Sequence, residues 1–278
     1  EYTVFKSLVA GVFSLSLSLS LSLSLSGPLA CCRGTPLITR PPFVAPHHSS
    51  SVAALVGGGS GMARPGAVSR AHRGVLFLDE CAEISLSALE ALRTPLEDGE
   101  IRLARRDGVA CYPARFQLVL AANPCPCAPA DPQDCICAAA TKRRYLGKLS
   151  GPLLDRVDLR VQMHRLRAGA FSAADGESTS QVRQRVALAR EAAAQRWRPH
   201  GFRTNAEVSG PLLRRKFRPS SAAMLPLRTA LDRGLLSIRG VDRTLRVAWS
   251  LADLAGRTSP GIDEVAAALS FRQTGARR

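Results

Sequence analysis

Val75-Leu76-Phe77-Leu78-Asp79-Glu80 is an apolar run that ends in two carboxylates. A short, continuous apolar run of this kind reads as a buried strand. Carboxylates at the carboxyl end of a sheet strand suit the hydrolytic half of a nucleotide site. The first, Asp79, would help to hold Mg²⁺, and the second, Glu80, would polarise the attacking water. The structural alternative is a strand that ends in solvated acids.

Two further segments keep company with the first. Phe116-Gln117-Leu118-Val119-Leu120-Ala121-Ala122-Asn123 is a second apolar run, and it ends in an amide. Asn123 there suits a residue that holds water or a γ-phosphate in line with Glu80; the alternative is a strand-end Asn making a turn. Gly151-Pro152-Leu153-Leu154-Asp155-Arg156 is a tight turn followed by an arginine. Arg156 would reach a neighbouring subunit's γ-phosphate, an effect worth about 10³–10⁵ in rate, or else pair locally with Asp155 or Asp158. No G-x-x-x-x-G-K-[ST] phosphate cradle accompanies these segments. Gly147-Lys148 is followed by Leu149, and Gly57-Gly58-Gly59-Ser60-Gly61 has no lysine. The chain by itself is therefore expected to bind ATP poorly.

Composition bounds the partners. A chain of 278 residues has room for one large domain or two small ones. Its formal net charge of +16 points to an anionic partner, nucleic acid before nucleotide phosphates. With 5 % aromatic residues, a single-strand-binding surface built on stacked bases is not expected. The eight cysteines are too clustered, in too long a chain, for a small secreted disulfide scaffold.

Residues 14 to 26 alternate Ser and Leu without interruption. This is low complexity, and a TC dinucleotide repeat would translate in this way. A signal peptide built on Lys6 and ending near Ala30-Cys31 is the rival, but half of its apolar stretch is serine. Because the chain opens on Glu1, it is expected to be a fragment. No other segment has the length and apolarity of a membrane-spanning helix, and a cytoplasmic setting is expected.

Beyond Thr39 the stretch from Arg40 to His48 reads as loop, with His47 and His48 as loop residues rather than ligands. Leu86, Leu89, Leu92 and Leu96 are spaced for one helix. Asp107-Gly108 between extended runs at 100–105 and 109–114 predicts a hairpin. Leu159 to Met163 reads as a third strand. Helices are expected over 181–197, 220–233, 241–255 and 262–271. Cys125-Pro126-Cys127 and Cys135-Ile136-Cys137 are two C-x-C pairs seven residues apart. Four such thiolates fit a tetrahedral Zn²⁺ site; the alternative is reduced structural cysteines in a loop.

The stretch from Arg40 to Arg272 resembles the carboxyl-terminal part of the YifB/ComM family, bacterial AAA+ ATPases often labelled magnesium-chelatase-like. The resemblance rests on RPPFVAPHHSSSVAALVGGGSGMARPGAVSRAHRGVLFLDE, LVLAANPCPC, RRYLGKLSGPLLDRVDLRV and RGVDRTLRVAWSLADLAGR. It implies a partial three-layer P-loop-type α/β ATPase core over 39–167. A helical region with the ATPase lid over 168–278 would follow, and 1–38 would be an unrelated, disordered segment. Asp79 and Glu80 would be the Walker B pair, Asn123 sensor 1 and Arg156 the arginine finger. A lid arginine would serve as sensor 2, with Arg243 and Arg246 both fitting. Family members carry a Walker A loop, preceded by a Lon-protease-like domain, upstream of the Arg40 region.

The resemblance further implies ATP and Mg²⁺ as cofactors. It implies a hexameric homo-oligomeric ring, with hydrolysis coupled to movement on DNA as in branch migration. The hairpin tip, with Arg105 and Arg106, would project into the ring's pore and touch phosphates without reading sequence; the alternative is a solvated turn. The rival functions are a magnesium chelatase motor, driving Mg²⁺ into a porphyrin, and a fragment without activity of its own.

Overall fold

The structure, a computed structural model, describes residues 40–59, 63–105, 108–129, 134–163 and 176–273. The chain divides into two compact units, one ending at Val157 and the other beginning at Asp158. The first is α/β and the second, among its described residues, is helical.

In the first unit β1 (Phe43–Val44), β4 (Val75–Leu78) and β7 (Gln117–Leu120) form a parallel sheet in the order β1-β4-β7. Between β1 and β4 lie α1 (Val52–Val56), the antiparallel pair β2 (Gly57–Gly58) and β3 (Arg64–Pro65), and α2 (Ala67–Arg70). All four residues of β4 are buried, as a central parallel strand covered on both faces requires. Leu76 and Leu78 share one core with Leu55 of α1 and Val68 of α2, each fully buried leucine contributing about 1.5–3 kcal/mol.

The Arg40–His48 stretch, expected as loop, contains β1. Pro41 and Pro42, just before it, hide the strand in the sequence, because proline is confined to edges and strand starts. Here Pro42 precedes an edge strand and its carbonyl accepts from Val75 N at 2.9 Å. Gly74 permits that approach, since a Cβ on it would lie 2.0 Å from the Pro42 oxygen.

The helix expected from Leu86 to Leu96 is two, α3 (Leu86–Ala91) and α4 (Arg93–Asp98). Pro95 explains the break: it has no N–H to give to the preceding turn, and the first turn of a new helix is where proline is tolerated. Gly99, at φ 70°, then ends α4 in the left-handed conformation. The hairpin forms as expected, with β5 (Glu100–Arg105) antiparallel to β6 (Gly108–Pro113) and Arg105 opposite Gly108. Arg106 and Asp107 lie outside the described residues. Beyond β7 come α5 (Ala139–Gly147) and the one-turn α6 (Gly151–Leu154).

The second unit is built on α7 (Thr179–Trp197), α8 (Gly210–Arg214), α9 (Leu225–Asp232), α10 (Ile238–Leu254) and α11 (Ile262–Gln273). Ser178 and Gln181 form a reciprocal capping box at the start of α7. Trp197, Leu245, Trp249, Val265 and Ala268 meet in one core. A polar cluster crosses it: Arg196 pairs with Asp253, Asn205 donates to Asp253 at 2.8 Å, and Trp197 Nε1 donates to Asn205 at 2.6 Å.

The third strand expected at Leu159–Met163 does not form. Leu159 and Val161 are exposed, and the Arg160 amide donates to Phe271 O at 2.8 Å. Phe271 sits in the last turn of α11, where carbonyls lack intrahelical partners. The segment's backbone is thus used to cap a helix rather than to extend a sheet.

Candidate functional site

The register of the parallel sheet builds the site. Leu78 lies opposite Leu120, so β4 and β7 end side by side. The pairing continues past the strand ends, with Ala121 N donating to Leu78 O at 2.9 Å and Cys81 N to Ala121 O at 2.8 Å. Asp79 and Glu80 therefore emerge at the same carboxyl edge as Ala121, two residues before Asn123. The carboxyl edge of a parallel sheet is where open α/β folds place ligands.

Local geometry separates the two acids. Asp79 Oδ1 accepts from Glu80 N at 3.0 Å, which orients that carboxylate. Glu80 has a φ of 48°, a left-handed conformation uncommon for a residue with a Cβ. Strain of this sort clusters at functional sites. Both acids are half-buried, as is Asn123. Cys81, next in the chain, is fully buried and its thiol is pushed up to about 12 by burial, so it is an inert packing residue.

His48, expected from the sequence only as a loop residue, faces Glu80. Its Nδ1 lies 2.9 Å from Glu80 Oε2. Only the parallel pairing of β1 with β4 brings the loop after β1 to this edge. The signal in the sequence was a histidine pair a few residues past an apolar dipeptide, which is legible only once Phe43–Val44 is known to be a strand.

Arg156 is placed by α6. Ser150 caps this turn by accepting from Leu153 N at 3.3 Å, and its hydroxyl donates to Glu90 on α3. That hydrogen bond, followed by Arg93, holds the Glu90 carboxyl below its usual range. The Arg156 side chain folds back within its own unit. It pairs with Glu97 Oε2 at 2.5 Å, donates to Pro152 O at 2.8 Å, and is only 8 % exposed. The partner is thus Glu97 of α4, not one of the adjacent acids weighed from the sequence.

The two lid candidates lie three residues apart on α10. Arg243 pairs with Asp158 at 2.6 Å. Arg246 donates from Nε to Val208 O at 3.0 Å, and its pKa is lowered by burial and then by Arg243. At the hairpin, Arg105 closes β5, and Arg106 lies outside the described residues.

Cys125, Cys127, Cys135 and Cys137 come together, their Sγ atoms all within 4.8 Å of one another. Cys135 is drawn down to about 6, first by a hydrogen bond from the Cys137 backbone, while Cys127 is pushed up to about 12, first by the Cys137 thiol. The group is one that can hold a metal ion.

Two family matches divide the chain. Residues 19–171 match the family described as magnesium chelatase, subunit ChlI, and residues 176–272 match the ChlI C-terminal family. The chain belongs to the magnesium chelatase ChlI family. YifB of Escherichia coli K12 is 42 % identical over 215 residues, 77 % of this chain and 42 % of the relative. Competence protein ComM of Haemophilus influenzae is 39 % identical over 233 residues, 83 % of this chain and 45 % of the relative. The magnesium-chelatase 38 kDa subunit of Rhodobacter capsulatus is 28 % identical over 211 residues, 72 % of this chain and 51 % of the relative. The chain spans less than half the length of its YifB and ComM relatives.

The family brings an AAA+ P-loop-type core with a helical C-terminal domain, and the α/β unit with its parallel sheet followed by helices agrees with it. It also brings ATP and Mg²⁺. Asp79, Glu80 and Asn123 offer the oxygen donors that Mg²⁺ prefers, at the right edge of the sheet. The phosphate cradle is not in this sequence. Among the described residues, no helix is long and apolar enough to cross a membrane.

Proposed function

We propose that this chain carries the hydrolytic half of a cytoplasmic AAA+ motor that acts on DNA. The observation that supports this most is the paired ending of β4 and β7, which gathers Asp79, Glu80 and Asn123 at one edge. In the proposal Asp79 holds Mg²⁺ and Glu80 takes a proton from the attacking water. Asn123 orients that water. Bound Mg²⁺ would neutralise phosphate charge. His48, in contact with Glu80, would fix the direction in which the carboxylate faces. Arg156 would act across a subunit boundary of a hexameric ring after exchanging Glu97 for phosphate. Arg243 or Arg246 would be the lid arginine.

DNA as the track is supported by the net charge of +16 and by the β5–β6 hairpin, which carries Arg105 at the end of its first strand. Phosphate contacts from a hairpin tip would be sequence-blind and salt-dependent. The Rhodobacter relative favours a second reading, a chelatase motor without a DNA track.

A chimera tests both. The part of the Escherichia coli relative upstream of the matched stretch is joined at Arg40, restoring a phosphate loop. Glu80→Gln should then lower ATP turnover by about 10²–10⁴ while leaving nucleotide binding intact. Turnover retained in that variant would overturn the assignment of Glu80. Replacing Arg105 and Arg106 by Ala should lower the slope of log DNA affinity against log salt by about one to two, as read by fluorescence anisotropy. An unchanged slope, or no DNA binding by the parent chimera, would favour the chelatase motor.

A further inference from the structure

The ATPase reading makes no use of the four cysteines. They sit in the segment between β7 and α5, whose described residues include a turn at Cys125–Ala128 and a 3₁₀-helical residue at Asp134. Of these four side chains only Cys125 is buried. Yet the two C-x-C pairs converge. Cys125 to Cys127, Cys127 to Cys135 and Cys135 to Cys125 are separated by 3.4, 3.5 and 3.4 Å between sulfurs.

These distances have a chemical meaning. They are far longer than a disulfide bond of about 2.05 Å. A tetrahedral ion with metal–sulfur bonds of about 2.3 Å sets its sulfurs about 3.8 Å apart. The observed spread, from 3.4 Å to an upper bound of 4.8 Å, brackets that spacing. Four soft sulfur donors in a compact set, with no carboxylate or imidazole grouped with them among the described residues, select Zn²⁺ over the hard cations. Four thiolates around Zn²⁺ leave two negative charges, which the Lys142 cation on α5, close to Cys135, offsets in part.

We infer that Cys125, Cys127, Cys135 and Cys137 bind one structural Zn²⁺ that ties the end of β7 to the start of α5. Cys125 lies two residues past Asn123, and Cys137 two residues before Ala139 at the start of α5. The ion closes the connection and braces the stretch that carries Asn123. All four positions are filled by protein, so the ion is structural and has no open site for substrate.

The test uses the full chain and does not depend on ATP hydrolysis. The chain is purified under reducing conditions, dialysed against Zn²⁺, and its metal content is measured. One equivalent of zinc is expected, and Co²⁺ in its place should give the intense visible absorption of a tetrahedral thiolate site. Cys125→Ser/Cys135→Ser should lose the stoichiometric metal, whereas Cys111→Ser, at an exposed cysteine outside the cluster, should keep it. Should the double variant fail to fold, alkylation of the parent chain decides: these four thiols should be protected until a chelator is added. Hydrogen exchange over 121–129 should slow when zinc is bound. Absence of stoichiometric zinc, iron in its place, zinc retained by the double variant, or alkylation of the four thiols regardless of zinc would overturn the site. Zinc bound without slower exchange would overturn its bracing role.

Discussion

Glu80→Gly should make the β4 edge more stable than Glu80→Ala does, although both remove the same carboxylate. Glu80 has a φ of 48°, and a residue with a Cβ costs about 1–2 kcal/mol in that region. Alanine keeps the penalty and glycine removes it. Against this, glycine loses more chain entropy on folding, about 0.5–1 kcal/mol. The contact with His48 disappears in both variants. It joins side chains 35 % and 42 % exposed and is therefore screened. The net advantage of glycine is about 0.5–1 kcal/mol, or about a two- to five-fold smaller opening equilibrium. Native-state hydrogen exchange at the Cys81 and Ala121 amides, whose bonds flank this turn, reads that ratio directly. In the phosphate-loop chimera neither variant should hydrolyse ATP, so the better-ordered protein would be an inactive one. Exchange in the alanine variant as slow as in the glycine variant would refute the claim that strain is stored at this carboxylate.

Other outcomes follow from single contacts. Gly74→Ala should detach β1, because its Cβ would meet the Pro42 oxygen at 2.0 Å, whereas Gly147→Ala has nothing within 4 Å to meet; rapid exchange of the Val75 amide in the first variant alone is the readout. Asp253→Ala should destabilise the helical unit by about 3–5 kcal/mol, since it leaves the largely buried Arg196 without its carboxylate. Trp197 and Trp249 lie in that core, so urea unfolding followed by tryptophan fluorescence would show the shift, and an unchanged midpoint would refute it. His72 accepts from the Arg115 amide at 3.1 Å, and its pKa is lowered by burial and then by Arg73 and Arg115. The folded state therefore favours neutral His72. The stability it contributes is full above the unfolded value of about 6.5 and is lost as pH falls through the lower folded value. His72→Gln should flatten stability against pH in that range, and an unaltered profile would exclude the assignment.

Features that depend on neighbours in the chain were legible without the fold. The unbroken apolar run of Val75 to Leu78 specified a strand covered on both faces. Asp107-Gly108 specified a hairpin, and the long helices of the second unit followed from apolar spacing. The C-x-C pairs announced four thiols in one loop. Features made by chain segments that meet only on folding were not legible. β1 exists because the Pro42 carbonyl finds the Val75 amide over a glycine, and no local pattern records that meeting. His48 reaches Glu80 only through that strand. Arg156 stood beside Asp155 and Asp158 in sequence, but the turn of α6 aims it at Glu97. Leu159 to Met163 alternates like a strand, yet a free carbonyl at the end of α11 takes its Arg160 amide. Local propensity chooses among a few backbone shapes. Which side chain faces which is settled by closing the chain on itself, where a buried polar group must find its partner wherever packing allows.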